Sequence, residues 1–344
     1  MKIASLKIKK NSNLKNKILK YKNQILITIF LLFFALCFIL NSGKYIGVVL
    51  EGILLYCVKV LPSLFPFFFI TKILGSFEFI ISCTNRFNKL TKALFNTPAI
   101  SCYIFFMSII SGYPMGAKLT SEFYEHGLIN KTESQRIMSF CSTSGPLFVI
   151  GSVGIGFFAN QTFGLFLFCS HILSSILNGL IYRNYGKNKL NNIKIKSINC
   201  NNTIKTNSLS LEEVMYSTIK SILIVGGYIV IFYTFIQILL DLKILSPLIS
   251  LLQNFGLNSF EATGLASGII EVTKGINILS KSQNLKTTFI IASSLISFGG
   301  FSIFFQSFAF LDKIKLSKKF FLLQKITHSI INVAISYLIT LFIF

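Results

Sequence analysis

The sequence predicts an all-α polytopic membrane protein in which two related halves form an inverted repeat. Each half is expected to contain a re-entrant helical hairpin and a broken helix, and the chain about seven full spans. Of the 344 residues, 53% are hydrophobic and only 13% are charged, whereas a soluble domain carries about a quarter charged residues. The apolar residues occur in long runs between short basic loops, which is typical of membrane proteins. Short groups of residues also recur in the same order in both halves.

The net charge of +22 comes almost entirely from lysine. In a soluble protein such an excess indicates nucleic-acid binding, but here the lysines flank apolar segments, as they do in cytoplasmic loops. The lipid bilayer is therefore the expected partner and nucleic acid is not. The seven cysteines form no C-x-x-C pair, and the three histidines look isolated, so neither a disulfide framework nor a metal site is predicted. No cofactor is expected apart from an unidentified coupling cation.

The N-terminal tail, residues 1–23, contains eight lysines and no acidic residue. An apolar run, Ile25–Leu40, follows it and places a first transmembrane helix within 24–45. The run is longer than the core of a signal peptide, which favours a retained anchor. Cleavage near the small residues 41–43 remains open.

Full spans are predicted from hydropathy at 24–41, 46–72, 137–158, 162–182, 213–241, 287–311 and 320–343. Two other apolar stretches, 98–128 and 258–284, are interrupted near the middle by Gly, Pro or Ser and a charge. Short amphipathic segments are expected before them, at 81–95 and 244–256. The positive-inside rule requires the basic loop 183–210 to lie in the cytoplasm. This is met only if each interrupted stretch enters and leaves the membrane on the same side. This places the N-terminus in the cytoplasm and the C-terminus outside, in a multi-pass protein of the cell membrane.

The repeat rests on three sets of matching residues. They are Leu50-Glu51 with Lys59 against Leu211-Glu212 with Lys220, Ser111-Gly112 with Lys118 against Ser267-Gly268 with Lys274, and Ser144-Gly145-Pro146 against Phe298-Gly299-Gly300. Because the halves start on opposite sides of the membrane, the repeat is inverted. Inverted repeats with discontinuous helices place a solute site near the bilayer midplane in many secondary transporters.

The first half supplies two candidate binding segments. At the first hairpin tip the candidates are Gly112, Tyr113, Pro114 and Gly116, because irregular backbone at membrane depth must be buried in protein or line a wet cavity. The alternative is a simple helix kink. In the broken span the candidates are Ser142, Thr143, Ser144 and Gly145, before Pro146. Their hydroxyls and freed carbonyls would bind a cation or a sugar hydroxyl, or else cap the second helical piece.

The second half supplies the acid most deeply set in an apolar segment, Glu271. An ionisable residue inside a membrane protein marks function by default, while the alternative is a structural i,i+3 ion pair of Glu271 with Lys274. The second broken span adds further candidates: Ser297, Gly299, Gly300, Ser302 and Gln306. Gln306 would bond a solute or join helices.

Three motifs together resemble the YlbJ-type sporulation integral membrane proteins. They are residues 61–67 (LPSLFPF), 111–118 (SGYPMGAK) and 144–148 (SGPLF), and the stretch 268–275 fits the same family. The resemblance covers about residues 46–343. It implies the wider nucleoside-recognition, or Gate, group, with Gate repeat 1 at 46–182, the polar loop at 183–210 and Gate repeat 2 at 211–344. In the nucleoside transporters of that group, hairpin tips and broken helices bind nucleoside and sodium. The tip here reads Gly-Tyr-Pro-Met-Gly where those transporters carry a Gln-Thr-Glu type tip.

The expected function is that of a sporulation-associated carrier for a small polar solute, nucleoside-like or other. The alternative is a non-transporting membrane scaffold for spore envelope assembly, acting with spore-assembly proteins or as a homo-oligomer. No Ser/His/Asp or Cys/His arrangement stands out, so no enzyme is predicted.

Overall fold

The structure, a computed structural model, describes residues 21–22, 24–75, 83–186 and 210–343. Nearly all of the basic tail, most of the polar loop 183–210 and the start of the predicted segment 81–95 lie outside the described residues. The chain divides into two units, residues 1–50 and 51–344.

Every regular element in these ranges is a helix, as predicted. The α-helices are α1 Gln24–Leu40, α2 Ser42–Leu55, α3 Leu61–Gly75, α4 Asn88–Phe95, α5 Ile100–Ser111, α6 Met115–Glu125, α7 Lys131–Phe140, α8 Gln161–Tyr182, α9 Leu211–Asp241, α10 Ser246–Asn254, α11 Ser259–Ile270, α12 Val272–Leu279, α13 Leu285–Phe298, α14 Gly300–Leu311 and α15 Lys318–Ile343. One π-helix, Tyr56–Val60, follows α2, and a second, Leu147–Phe157, follows the break after α7. The short helices α4 and α10 occupy the segments for which amphipathic helices were predicted.

Four helical stretches are long and apolar enough to cross a membrane: Gln161–Tyr182, Leu211–Asp241, Leu285–Ile314 and Lys318–Phe342. Two bent pairs, Gln24–Leu40 with Ser42–Val60 and Asn85–Phe95 with Ile100–Ser111, raise the number to six if each pair is one span. The other predicted spans consist of shorter pieces. Leu64–Leu74 and Leu147–Phe157 are each too short to cross the roughly 30 Å hydrocarbon core alone.

The first interrupted stretch is a helical hairpin and not a kink. A Cβ placed on Gly116 would lie 3.2 Å from the Cβ of Ser108. In a straight helix, residues eight apart are separated by about 12 Å. The chain therefore reverses between α5 and α6.

The second interrupted stretch reverses in the same way. A Cβ on Gly264 would lie 3.1 Å from the carbonyl oxygen of Gly275, although a straight helix would separate these residues by about 16 Å. The turn is made at Glu271, whose backbone is extended with φ −141° and ψ 117°. Helices α11 and α12 thus pack against each other along their lengths.

Several helix starts are set by local sequence. Asn258 and Glu261 form a capping box at α11, and Ser210 and Glu213 form another at α9. In each box two backbone N–H groups that a helix leaves unpaired gain acceptors.

Two apolar cores meet around the helix breaks. The first joins α3, α5, α6 and α7 to α9 around residues such as Phe68, Ile104 and Ile229. The second joins the second π-helix and α8 to α12 and α13, with Val153, Leu167 and Ile276 at its centre. Helix α9 from the second half thus packs within the first core, which brings the two hairpins close to each other.

Candidate functional site

A cavity of about 50 Å³ lies where both hairpin tips and both broken helices meet. Its walls also include residues of α3 and α9. The predicted site residues that line it are Gly112, Tyr113, Ser144, Gly145, Glu271 and Gln306. The other predicted residues lie outside the lining: Pro114, Gly116, Ser142, Thr143, Ser297, Gly299, Gly300 and Ser302. Four segments that are distant in sequence therefore come together, but only part of each segment faces the cavity.

The first hairpin tip packs backbone to backbone against the first helix break. Gly112 has φ +76° and ψ −169°, a conformation that is essentially confined to glycine. A Cβ there would lie 2.6 Å from the amide nitrogen of Gly145, and a Cβ on Gly145 would lie 3.1 Å from the amide nitrogen of Gly112. Gly112 is thus required by the close approach of the two backbone segments, and a side chain at Gly145 would be crowded by the same approach.

The second half repeats this contact. Gly300, with φ +73°, follows the second break, and a Cβ on it would lie 2.9 Å from the carbonyl oxygen of Gly268. The carbonyl oxygen of Ile270, which also belongs to the hairpin, lies 3.1 Å from the same Cβ position. In each half, therefore, a glycine at the helix break touches the backbone of that half's hairpin.

Glu271 is 1% exposed and caps α12. Its two carboxylate oxygens accept hydrogen bonds from the backbone N–H groups of Thr273 at 3.0 Å and Lys274 at 2.7 Å. The ammonium of Lys274 points elsewhere: it donates to Gln237 Oε1 at 2.8 Å and lies 4.1 Å from the ring centroid of Tyr233. The carboxylate thus serves as a helix cap, and the Lys274 side chain is anchored on α9.

Two serines at equivalent places in the hairpins have buried hydroxyls. Ser111 and Ser267 are 2% and 0% exposed, and neither Oγ has a hydrogen-bond partner among the described residues. Ser111 lines the cavity. Burying a hydroxyl without a hydrogen-bond partner costs about 1–3 kcal/mol. A polar ligand in the cavity would supply that partner for the Ser111 hydroxyl. Gln306 faces the same space while its Nε2 donates to Ser302 Oγ at 3.1 Å.

The hydroxyls of the first break do not cap the π-helix that follows, which begins after Pro146 without a side-chain cap. Thr143 Oγ1 instead donates to Ser108 Oγ at 3.2 Å, and Ser142 accepts hydrogen bonds from Lys325. These hydroxyls therefore bind the break to other elements.

Lys325 of α15 is a buried lysine that sequence reasoning did not single out. It is 3% exposed, and its ammonium donates to Tyr113 Oη at 2.6 Å and to the carbonyl and hydroxyl oxygens of Ser142 at 3.3 and 3.4 Å. Tyr113 in turn donates to the carbonyl of Ile296 at 3.2 Å. This one tyrosine thus connects the first hairpin tip with α13 and α15.

Two histidines that looked isolated in sequence lie together in the structure. The rings of His171 and His328 stack with centroids 4.9 Å apart. His171 Nε2 accepts from the backbone N–H of Ser144 at 2.9 Å, and its Nδ1 lies 2.9 Å from Ser297 Oγ. The prediction that these histidines are isolated was therefore wrong, because helices α8 and α15 pack side by side.

Comparison with known proteins agrees with the resemblance found in the motifs. The chain is similar to the sporulation integral membrane protein YlbJ of Bacillus subtilis (strain 168). The two are 27% identical over 329 residues, which cover 90% of this chain and 80% of the relative. No protein-family model matches the chain, and no solved structure matches it.

The similarity to YlbJ and the candidate spans support each other. YlbJ is named as an integral membrane protein, and at least four helices here are long and apolar enough to cross a bilayer. The chain is thus a multi-pass integral membrane protein that is similar to YlbJ. Chemically, its cavity offers one carboxylate, one amide and several hydroxyls, which is a set suited to binding a polar ligand.

Proposed function

We propose that the chain is a sporulation-associated membrane carrier that moves a small polar solute by alternating access around the cavity. The observation that carries this proposal is the convergence of two hairpin tips, the first helix break and the helix after the second break on one cavity. Discontinuous helices that meet in this way form the solute sites of many secondary transporters. The sporulation role rests on the similarity to YlbJ.

In this proposal the two halves form an inverted repeat of the nucleoside-recognition, or Gate, type, with seven full spans and the N-terminus in the cytoplasm. The matching contacts of Gly145 with the first hairpin and of Gly300 with the second support the repeat. So do Lys118 and Lys274, which hold equivalent places in the hairpins and whose ammonium groups lie over the rings of Phe68 and Tyr233, each on a helix of the same half.

The cavity is small compared with pockets that hold a solute of nucleoside size. Pockets for drug-sized ligands measure roughly 300–1,000 Å³, whereas this cavity measures about 50 Å³. A solute of nucleoside size requires the hairpins and broken helices to separate. Glu271 would then bind the solute or a coupling cation, with the Ser111 hydroxyl and Gln306 as further polar contacts.

The direct test is transport by the purified protein in liposomes, with labelled nucleosides and related small polar compounds as probes. Glu271→Gln removes the charge from the cavity and should abolish most solute uptake. Glu261→Gln is a matched control, since Glu261 is also 2% exposed and also caps a hairpin helix but does not line the cavity. Absence of uptake by the unaltered protein, or equal uptake by both variants, would count against the carrier.

A second candidate function is a non-transporting scaffold for spore envelope assembly. The observation in its favour is that both oxygens of Glu271 are already engaged as a helix cap. A double variant, Glu271→Gln with Lys274→Met, should then support normal sporulation whenever it inserts at normal levels. A carrier that depends on Glu271 should lose sporulation with the same variant.

A further inference from the structure

His171 links the two helix breaks. Its Nε2 accepts from the backbone N–H of Ser144, in the break before the second π-helix. Its Nδ1 lies 2.9 Å from the hydroxyl of Ser297, two residues before the break at Gly299. Ser297 and His171 are both fully buried. One imidazole on α8 thus holds together the two elements that alternating access would separate.

These contacts fix the proton on the imidazole. A backbone N–H can only donate, so the Nε2 that faces Ser144 must carry a lone pair. The neutral ring then carries its proton on Nδ1 and donates it to Ser297 Oγ, which also receives a hydrogen bond from Asn332 Nδ2 at 2.7 Å. An imidazolium has two donors and no acceptor. A second proton on Nε2 would therefore point at the Ser144 N–H and break that hydrogen bond.

The other groups around His171 do not favour a second proton in this packing. The titratable or charged side chains that face it are Tyr113 of the first hairpin tip, 6.5 Å between ring centroids, and Lys325 and His328 of α15. The break and α13 present only the neutral Ser144 and Ser297. With no facing carboxylate among them, the present packing suits a neutral ring, and separation of the breaks would remove this restriction.

We propose that His171 is a proton-binding latch: it takes up a proton when the two helix breaks separate and releases it when they close. The proton comes from water and forms an N–H bond at Nε2, while the hydrogen bond from Ser144 is lost. Ser144, which lines the cavity, then has a backbone N–H without its acceptor. The proton would be the coupling cation of the carrier, so this part of the inference rests on the proposed function.

The direction of the pH effect follows from linkage. A ligand that binds one conformation better shifts the population towards it. Acidification should therefore open the cavity. The chain contains no tryptophan, so Phe148→Trp, which places an indole at the cavity wall, gives a reporter without background. Its emission should shift to longer wavelength as pH falls in nanodiscs, because water enters.

The decisive variant adds His171→Gln to this reporter. A glutamine can accept from Ser144 and donate to Ser297 but does not titrate, so the acid-induced shift should disappear. His126→Gln is the matched control, since His126 is exposed, and should leave the shift unchanged. Ser297→Ala keeps the imidazole but removes one anchor of the closed state, so the midpoint should move to higher pH.

Several outcomes would overturn the latch: no acid-induced shift, a shift that persists in His171→Gln, or a shift that disappears in His328→Gln while His171→Gln retains it. A shift driven by sodium at constant pH but not by protons would also overturn it. Leu147→Trp, at a cavity residue that is 45% exposed, serves as a second reporter if tryptophan at 148 disturbs folding. If no solute is transported and yet the titration depends on His171, the carrier fails and the latch stands.

Discussion

At the scale of single residues, Gly112 is where sequence and structure are most tightly linked. Gly112→Ala should destabilise the protein by about 3 kcal/mol or more, because its backbone conformation is nearly confined to glycine and a Cβ would overlap the amide of Gly145. Gly127→Ala is the matched control: it also has positive φ, +72°, but no atom within 4 Å of the new Cβ. It should cost only about 1–2 kcal/mol. Thermal unfolding in detergent measures both, and equal losses would show that the contact with Gly145 adds nothing.

Single residues also show which features of the site can be predicted from the sequence. Glu271 and Gly112 stood out because a charge and a glycine-proline pair are costly in an apolar helix, and these costs are local. Lys325 carried the same kind of signal inside the predicted span 320–343 but was not singled out. Its partner Tyr113 is 212 residues away, so no local pattern could reveal the contact.

At the scale of elements, the Tyr113 hydroxyl ties the tip of the first hairpin to helices of the second half. Tyr113→Phe removes the acceptor for Lys325 and the donor to Ile296, which leaves a buried ammonium with only the longer contacts to Ser142. A loss of roughly 1.5–3 kcal/mol is expected, since hydrogen bonds to charged groups are worth that much. Tyr103→Phe is the control: it removes one neutral hydrogen bond, to the carbonyl of Thr71, and should cost about 0.5–1.5 kcal/mol.

A double-mutant cycle separates this tether from general packing. In a Lys325→Met background no ammonium is left without its partner, so Tyr113→Phe should cost less than it does alone. The two substitutions should therefore be non-additive, by about 1 kcal/mol or more for groups in direct contact. Additive losses in denaturant or thermal unfolding would show that the tyrosine and the lysine act independently.

The ends of helices could be predicted where local residues such as glycine and proline set them. Gly112 and Pro114 indicated a hairpin tip, and the structure places the turn between α5 and α6 there. The break at Glu271 was less clear, because no proline marks it. There the extended backbone of Glu271 is stabilised by its own carboxylate, which caps the next helix, and such a contact becomes visible only in three dimensions.

At the scale of the whole molecule, the hydropathy pattern predicted a multi-pass helical protein but not how helices from the two halves interleave. Helix α9 packs into the core of the first half, and His171 and Lys325 join elements that are more than 120 residues apart. These contacts depend on the shape of many helices together. Short repeats in sequence indicate which segments correspond but not which surfaces meet.

The last prediction concerns the orientation of those segments in the bilayer. If both interrupted stretches are re-entrant, residues on the two sides of each hairpin are accessible from the same face of the membrane. In a cysteine-free background, single cysteines at Lys92 and His126 should be labelled only from the cytoplasm. Cysteines at Asn254 and Lys281, on either side of the second hairpin, should be labelled only from outside.

Helix α8 provides the control for this labelling, because it is long and apolar enough for a complete span. Cysteines at Gln161 and Asn184, both exposed, should react from opposite faces, outside and cytoplasm. If positions 92 and 126 also react from opposite faces, the first hairpin is not re-entrant. The basic loop 183–210 would then fall outside, against the positive-inside rule, and the inverted repeat would lose its main physical argument.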